Sequence, residues 1–265
     1  MKRSAWLVLL FSSSLALGGE PRKVDPQKSD DAQFELQKRK IPLDASHFMG
    51  RVLNNDGKTV QLFLDAGFSP DEADDGTPPL YEAANRGYVD IVKMLLEAGA
   101  KPDIKNRNGE TPLQAAVVQK QADCVKALAE AGANPNLFYK NDGDTPLLRA
   151  SAVDSPETVL VLIDVKADVN RAGQNNSTPL LAEAQRGHPE TVRALLKAGA
   201  KVNVRAAGGA SPLMMAAFSG NAETVQILMK AGADRKDVGT YIGSVSPEIK
   251  KILQGGGGAS TTKKK

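Results

Sequence analysis

The sequence predicts an all-α fold class: a solenoid of stacked helix–turn–helix units with β-hairpin fingers. Three observations carry that prediction. The prolines of Pro79-Leu80, Thr111-Pro112-Leu113, Thr145-Pro146-Leu147, Thr178-Pro179-Leu180 and Ser211-Pro212-Leu213 follow one another at steps of 33, 34, 33 and 33 residues. A second ladder, Gly67, Gly99, Gly132, Lys166, Gly199 and Gly232, keeps the same register. Between the two runs an apolar stripe at helical spacing: Val60/Phe63/Leu64, Ile91/Val92/Leu95/Leu96, Val125/Leu128, Val159/Leu162/Ile163, Val192/Leu195/Leu196 and Val225/Leu228/Met229. A step this short, held over six copies, belongs to units that bury their apolar sides only against their neighbours.

Taken from the N-terminus, the 265-residue chain begins with Lys2 and Arg3, followed by the apolar run Ala5-Trp6-Leu7-Val8-Leu9-Leu10-Phe11 and small residues at Ala16 and Gly18. This pattern is that of a secretory signal peptide over residues 1–18, with cleavage after Gly18. The run is shorter than the roughly 20 apolar residues that span a bilayer. No later stretch is long and apolar enough to do so, and no integral membrane segment is expected in the mature chain. Export with a single cysteine, Cys124, excludes an internal disulfide, so packing must supply the stability. Cys124 lies in an apolar helical face and reads as a buried, unreactive thiol.

Residues 19–43 read as a polar linker with Pro21, Pro26 and Pro42, with a helical stretch around Ala32 to Lys40. Six repeats follow, at about 44–76, 77–109, 110–143, 144–176, 177–209 and 210–242. A closing half-unit occupies 243–254, with Ser246 as helix cap and Pro247 at the first helical position. Residues 255–265, from the glycine run to Lys263, Lys264 and Lys265, have the composition of a disordered tail.

Each element of the unit has a local cause. Asp75-Gly76, Asn108-Gly109, Asp142-Gly143, Asn175-Asn176 and Gly208-Gly209 are tight-turn signals. Thr-Pro then starts a first helix: the hydroxyl caps an orphan N–H, and proline sits where no N–H is needed. Small residues such as Ala83-Ala84 allow close approach of two helices. Gly87 ends the first helix, and Gly99 ends the second in a left-handed conformation. Repeat four departs twice, with Lys166 and Asp154 at glycine positions. A side chain in the left-handed region costs on the order of 1–2 kcal/mol, so repeat four is expected to be a soft joint. Repeat one begins Ser46-His47-Phe48 instead of Thr-Pro, as a capping unit does.

The Thr-Pro-Leu starts, the glycine ladder and the stripe together resemble the ankyrin repeat, over roughly residues 44–242. The resemblance implies an ankyrin-repeat α-solenoid that binds proteins through finger tips and the exposed side of the first helix, on a concave face. It also implies a structural role for His188. Carried onto this chain, the candidate partner-binding residues are Arg107, Glu110, Val118, Leu137, Phe138, Tyr139, Lys140, Asp144, Val153, Gln174, Arg186 and Phe218. The finger Asn136-Leu137-Phe138-Tyr139-Lys140-Asn141 is one residue longer than its neighbours and aromatic. Exposed, its rings would anchor a partner; alternatively, Leu137 and Phe138 fold back into the inter-repeat seam.

The formal charge is +3, with Lys2, Arg3 and the three C-terminal lysines outside the repeats, so the folded body is nearly neutral. That balance excludes a field suited to nucleic acid. The two histidines, His47 and His188, have no cysteine or carboxylate cluster at metal-ligand spacing, and the acidic run Asp71, Glu72, Asp74, Asp75 lacks the pattern of a calcium loop. No catalytic residue, cofactor or metal site is expected. The expectation is a monomeric, non-enzymatic scaffold that holds a protein or peptide partner outside the cytoplasm, in a periplasm or secreted. Two alternatives stand beside it: a secreted effector that modulates a host or competitor enzyme, and an accessory subunit that protects or assembles an exported redox enzyme.

Overall fold

The computed structural model describes residues 24–239 and 242–255. The expected leader at 1–18 and nearly all of the expected tail at 255–265 lie outside them. A helix α1 (Pro26–Lys38) precedes six helical pairs: α2 (Ala45–Leu53) with α3 (Gly57–Asp65), α4 (Pro79–Arg86) with α5 (Val89–Glu97), α6 (Pro112–Val118) with α7 (Ala122–Glu130), α8 (Pro146–Ala152) with α9 (Pro156–Asp164), α10 (Pro179–Arg186) with α11 (Pro189–Lys197), and α12 (Pro212–Phe218) with α13 (Ala222–Lys230). A short α14 (Lys236–Gly239) and a final α15 (Pro247–Gly255) close the stack. First helices pack on first helices (α4 on α6, α6 on α8, α8 on α10, α10 on α12), and second helices do the same from α3 to α13. The result is two layers around one continuous core.

Capping chemistry starts these helices where the prolines fall. Thr111 Oγ1 accepts the Gln114 N–H at 3.3 Å while Gln114 Oε1 accepts the Thr111 N–H at 2.9 Å, a complete capping box. Thr145, Thr178 and Ser211 accept the Leu148, Leu181 and Met214 N–H groups in the same way. In repeat two the doubled Pro78-Pro79 shifts Thr77 out of reach, and α4 starts without a side-chain cap. The inner part of each stripe is sealed: Val60, Phe63, Leu64, Val92, Leu95, Val125, Leu128, Val159, Leu162, Val192, Leu195, Val225 and Leu228 are all fully buried, while Leu96, Ile163, Leu196 and Met229 at its edge are half-buried. Burial of each is worth roughly 1.5–3 kcal/mol. Cys124 is buried among them, and burial together with Asp123 pushes its thiol up to about 11.

Lys166 occupies the left-handed region at φ 67°, and Asp154 at φ 61°. Lys120, at φ 59° in the matching turn of repeat three, adds a position the sequence reading did not single out. The finger tips are tight turns, and among the described residues their only strand-like pairing is Asp74 with Thr77. There the two residues exchange backbone bonds across Asp75-Gly76, both at positive φ. Further down each finger an acidic or amide side chain reaches the next repeat. Asp71, Asp103, Asn136, Asn170 and Asn203 accept the backbone N–H groups of Lys101, Asn134, Asp168, Lys201 and Asp234 at 2.8–3.1 Å. These five bonds form a polar ladder along the stack.

The polar linker expected at 19–43 is corrected over residues 26–38. Asp25 caps α1 by accepting the Gln27 N–H, and Ala32 and Leu36 bury against the core. Ser29 Oγ and Gln33 Nε2 both donate to the Ala66 carbonyl at the end of α3. Beneath α1, Phe48, Phe63 and Phe68 form a trio with ring centroids 5.0–5.5 Å apart. At the other end, Ile249 and Leu253 of α15 are buried, and Ser246 Oγ accepts the Ile249 N–H.

Candidate functional site

Counting from the proline that starts each first helix, the first, fourth and fifth following residues turn inward and the sixth and seventh turn outward, as a 3.6-residue period requires. The sixth position carries Asn85, Val118, Ala152, Gln185 and Phe218; all but the half-buried Asn85 are exposed. Val118 is 41% and Phe218 48% exposed. At the seventh position Val153 is half-buried and Arg186 exposed. Arg186 Nη2 donates to the Ala152 carbonyl at 2.5 Å, and its Nη1 lies 3.7 Å from Asp154 Oδ1.

The fingers divide the remaining candidates. Arg107 is exposed and reaches Asp75 at 3.1 Å, while its backbone N–H donates to Gly76 O and ties adjacent finger tips together. Lys140 and Gln174 are exposed. Glu110 is engaged internally: its Oε2 accepts the Tyr81 hydroxyl at 3.0 Å and Asn106 Nδ2 at 3.1 Å. Burial and that carboxylate push the Tyr81 phenol up to about 12.

Tyr139 requires a correction. It is not a partner anchor: the ring is 6% exposed and the hydroxyl donates to the Gln114 carbonyl at 2.8 Å. The Arg149 guanidinium lies 4.7 Å from the ring centroid, and Arg149 in turn pairs with Asp142 and lies 3.6 Å from Asp144. Burial raises the phenol far above its ordinary range. Asp144 is half-buried and raised, by burial first and by Asp142 second, with Arg149 opposing. Burial also acts on Asp142, but the Asp144 N–H and Arg149 outweigh it and hold that carboxyl below its usual range. Of the two readings of the finger, the seam-filling one applies to a different ring from the one expected. Leu137 is half-buried with its carbonyl taken by Gln114 Nε2, and Phe138 remains 44% exposed beneath Arg171 at 4.5 Å.

The structure therefore brings Val118, Val153, Arg186 and Phe218 onto one helical face, sets Phe138, Lys140, Arg107 and Gln174 on the fingers, and assigns Tyr139, Glu110 and Asp144 to internal contacts. Sequence reasoning missed Arg149 and Arg171, the cations that cover the two aromatic rings. It also missed Met214 and Met215, half-buried on α12 beside Phe218, and Phe34, which is 68% exposed on α1. The proline count places Met215 and Arg149 at the same third position, half-buried in both, and could have found both. The acidic run is divided among separate tasks, Asp71 in the polar ladder and Asp74 in the hairpin pair. Among the described residues no group of three or more His, Cys, Asp or Glu is arranged to hold a metal ion, and no helix is long and apolar enough to cross a membrane.

Comparison with known proteins gives one consistent result. A family model described as ankyrin repeats (3 copies) matches residues 48–139, 98–173 and 147–238. An ankyrin repeat-containing protein of Schizosaccharomyces pombe is 40% identical over 63 residues, 23% of this chain and 30% of that protein. The 2-5A-dependent ribonuclease of Mus musculus is 36% identical over 75 residues, 28% of this chain and 10% of the ribonuclease. The matches thus span less than a third of either relative. Among solved structures, the ankyrin repeat domain of Bcl-3, a member of the IkappaB family, superposes with a TM-score of 0.66 at 25% identity, covering 78% of this chain and 97% of that one.

Proposed function

The chain belongs to the ankyrin-repeat family, and from that premise we propose that it is a non-enzymatic scaffold that holds a protein or peptide partner outside the cytoplasm. One observation supports this most directly. The outward positions of α6 and α12 carry apolar side chains, Val118 at 41% and Phe218 at 48% exposure. Apolar groups on a rigid, pre-formed face are the anchors that protein partners use, and a fold of this kind does not by itself select one partner. Phe138 extends the surface onto the aromatic finger. The extracytoplasmic part of the proposal rests on the leader pattern at residues 1–18.

The test is affinity capture from extract of the source cell, with the full chain compared against a Val118→Lys/Phe218→Lys variant of unchanged helicity. The proposal expects a protein retained in stoichiometric amount by the wild type and lost from the variant. An identical retained set on both would remove this face from the reading. Fractionation of the source cell tests the location: recovery in the cytoplasmic fraction with residues 1–18 intact would overturn it.

A further inference from the structure

Among the described residues Glu183 is the only charged side chain that is buried, at 1% exposure. It stands at the fourth position after the helix-starting proline, where the other copies carry the fully buried Ala83, Ala116, Ala150 and Ala216. A lone carboxylate in such a place costs several kcal/mol unless it is paired. Its Oε2 meets His188 Nδ1 at 2.9 Å and the Thr191 hydroxyl at 2.5 Å, while Oε1 is buried without a partner. The other ring nitrogen, Nε2, lies 3.3 Å from Asp154 Oδ1 in the preceding repeat. The position of His188 is held by Tyr88, Gln121, Ser155 and Asn221 in the neighbouring copies. The buried glutamate and the histidine therefore occur together in one repeat and in no other from repeat two to repeat six.

An imidazole with a carboxylate oxygen on each nitrogen is satisfied only when both nitrogens carry protons, because each must donate. A neutral ring turns one lone pair towards an anion. We propose that Asp154, His188 and Glu183 form a proton-operated latch between repeats four and five. With the ring doubly protonated, the latch ties the α8–α9 turn to α10 and α11. When the ring gives up a proton, the contact to the exposed Asp154 opens while the buried one to Glu183 is kept. The latch is therefore held while both ring nitrogens carry protons and released when one proton leaves.

The charged groups around the ring fit this direction. On α10, Arg186 shares Asp154 Oδ1 at 3.7 Å and is left as that oxygen's cation when the ring is neutral. In repeat three, Lys120 Nζ donates to the Asp154 carbonyl at 3.2 Å and anchors the turn from its other side. The first turns of α9 and α11 add Glu157 and Glu190, both exposed, and on α13 Glu223 pairs with Arg193 of α11. Asp154 is the exposed end of the relay, and it sits at positive φ in a turn where Gly87, Gly187 and Gly220 stand in other copies.

The experiment is a proton NMR titration of the His188 ring in the full-length wild type, Glu183→Ala and Asp154→Asn, with His47 as internal reference. Glu183→Ala installs the residue the other copies already use and should fold. The latch predicts that the His188 ring responds differently to pH in each variant than in the wild type, while the His47 ring does not. It also predicts amide exchange in α10 that speeds up with pH beyond the chemical rate in the wild type and not in Glu183→Ala. Equal midpoints in all three proteins, or an exchange profile unchanged by Glu183→Ala, would overturn the latch. Should Glu183→Ala not fold, His188→Asn reads the same loss through amide exchange, with Asn221 as its precedent in repeat six.

Discussion

Repeat four meets its two neighbours through different chemistry. Towards repeat three, the seam holds an aromatic ring: Tyr139 is buried, its hydroxyl spent on Gln114 O and its face under Arg149. Towards repeat five, it holds a charge relay from Asp154 through His188 to Glu183. Both stand where the family pattern lapses, at an over-long finger on one side and at non-glycine turns and a non-alanine helix position on the other. An aromatic wedge excludes water and works over a wide pH range. A relay of titratable groups makes its joint depend on proton activity.

The largest change is expected on the aromatic side. Tyr139→Ala removes a buried ring and leaves the Gln114 carbonyl without its donor. It should lower unfolding free energy by about 3 kcal/mol, read as a fall in the urea midpoint at both pH 6 and pH 8. A loss confined to one pH would erase the contrast between the seams. Gly173→Ala comes next. A Cβ there would stand 2.2 Å from Asp144 Oδ1 and 2.5 Å from Leu148 Cδ2, so those two side chains would have to give way in the seam. About 1–2 kcal/mol should be lost. Smaller still, and of opposite sign, Lys166→Gly relieves a side chain at φ 67° at the end of α9. It should add about 1 kcal/mol, a rise in Tm of roughly 2–4 °C for a domain this size. No rise in calorimetry would mean that the Lys166 stem repays its strain by packing against the α9–α11 seam.

Much of the frame could be read from residue order because its causes are local. Threonine before proline caps, glycine after a helix turns left, and a stripe with period 3.6 has one side to bury. What could not be read depended on which of two adjacent side chains faces inward. Phe138 and Tyr139 are both aromatic, and the extra residue in their finger sends the tyrosine, which can satisfy its hydroxyl on Gln114, into the seam. In α1 the buried residues are Ala32 and Leu36, an apolar pair four residues apart in an otherwise polar segment, too thin a stripe to outweigh its composition. Glu183 reads as a surface residue in any helix count that ignores its register with the alanines of other copies. That register was available in the sequence, as was the five-rung ladder from Asp71 to Asn203.

The ladder offers the finest control on the comparison. Its first two rungs are aspartates and its last three asparagines, all accepting one backbone N–H from the next repeat. At Asp71, burial raises the carboxyl above its ordinary value, with the Lys101 N–H and charge opposing. A carboxyl raised in the fold stabilises most below its unfolded pKa, near about 3.9, and that contribution is lost as pH climbs through the folded value. Ionised Asp71 is thus a small cost at neutral pH. Asp71→Asn keeps the bond without the charge and should be more stable than the wild type at pH 7, but equal to it near pH 3. Solvent contact screens the group, so the gain should be only about a few tenths of a kcal/mol, within reach of paired urea titrations. In this background the acid limb from Asp71 is gone, and the part of the neutral-range pH dependence that Glu183→Ala also removes belongs to the seam between repeats four and five. If Asp71→Asn instead flattens the neutral range, the relay at His188 is not what makes that joint sensitive to protons.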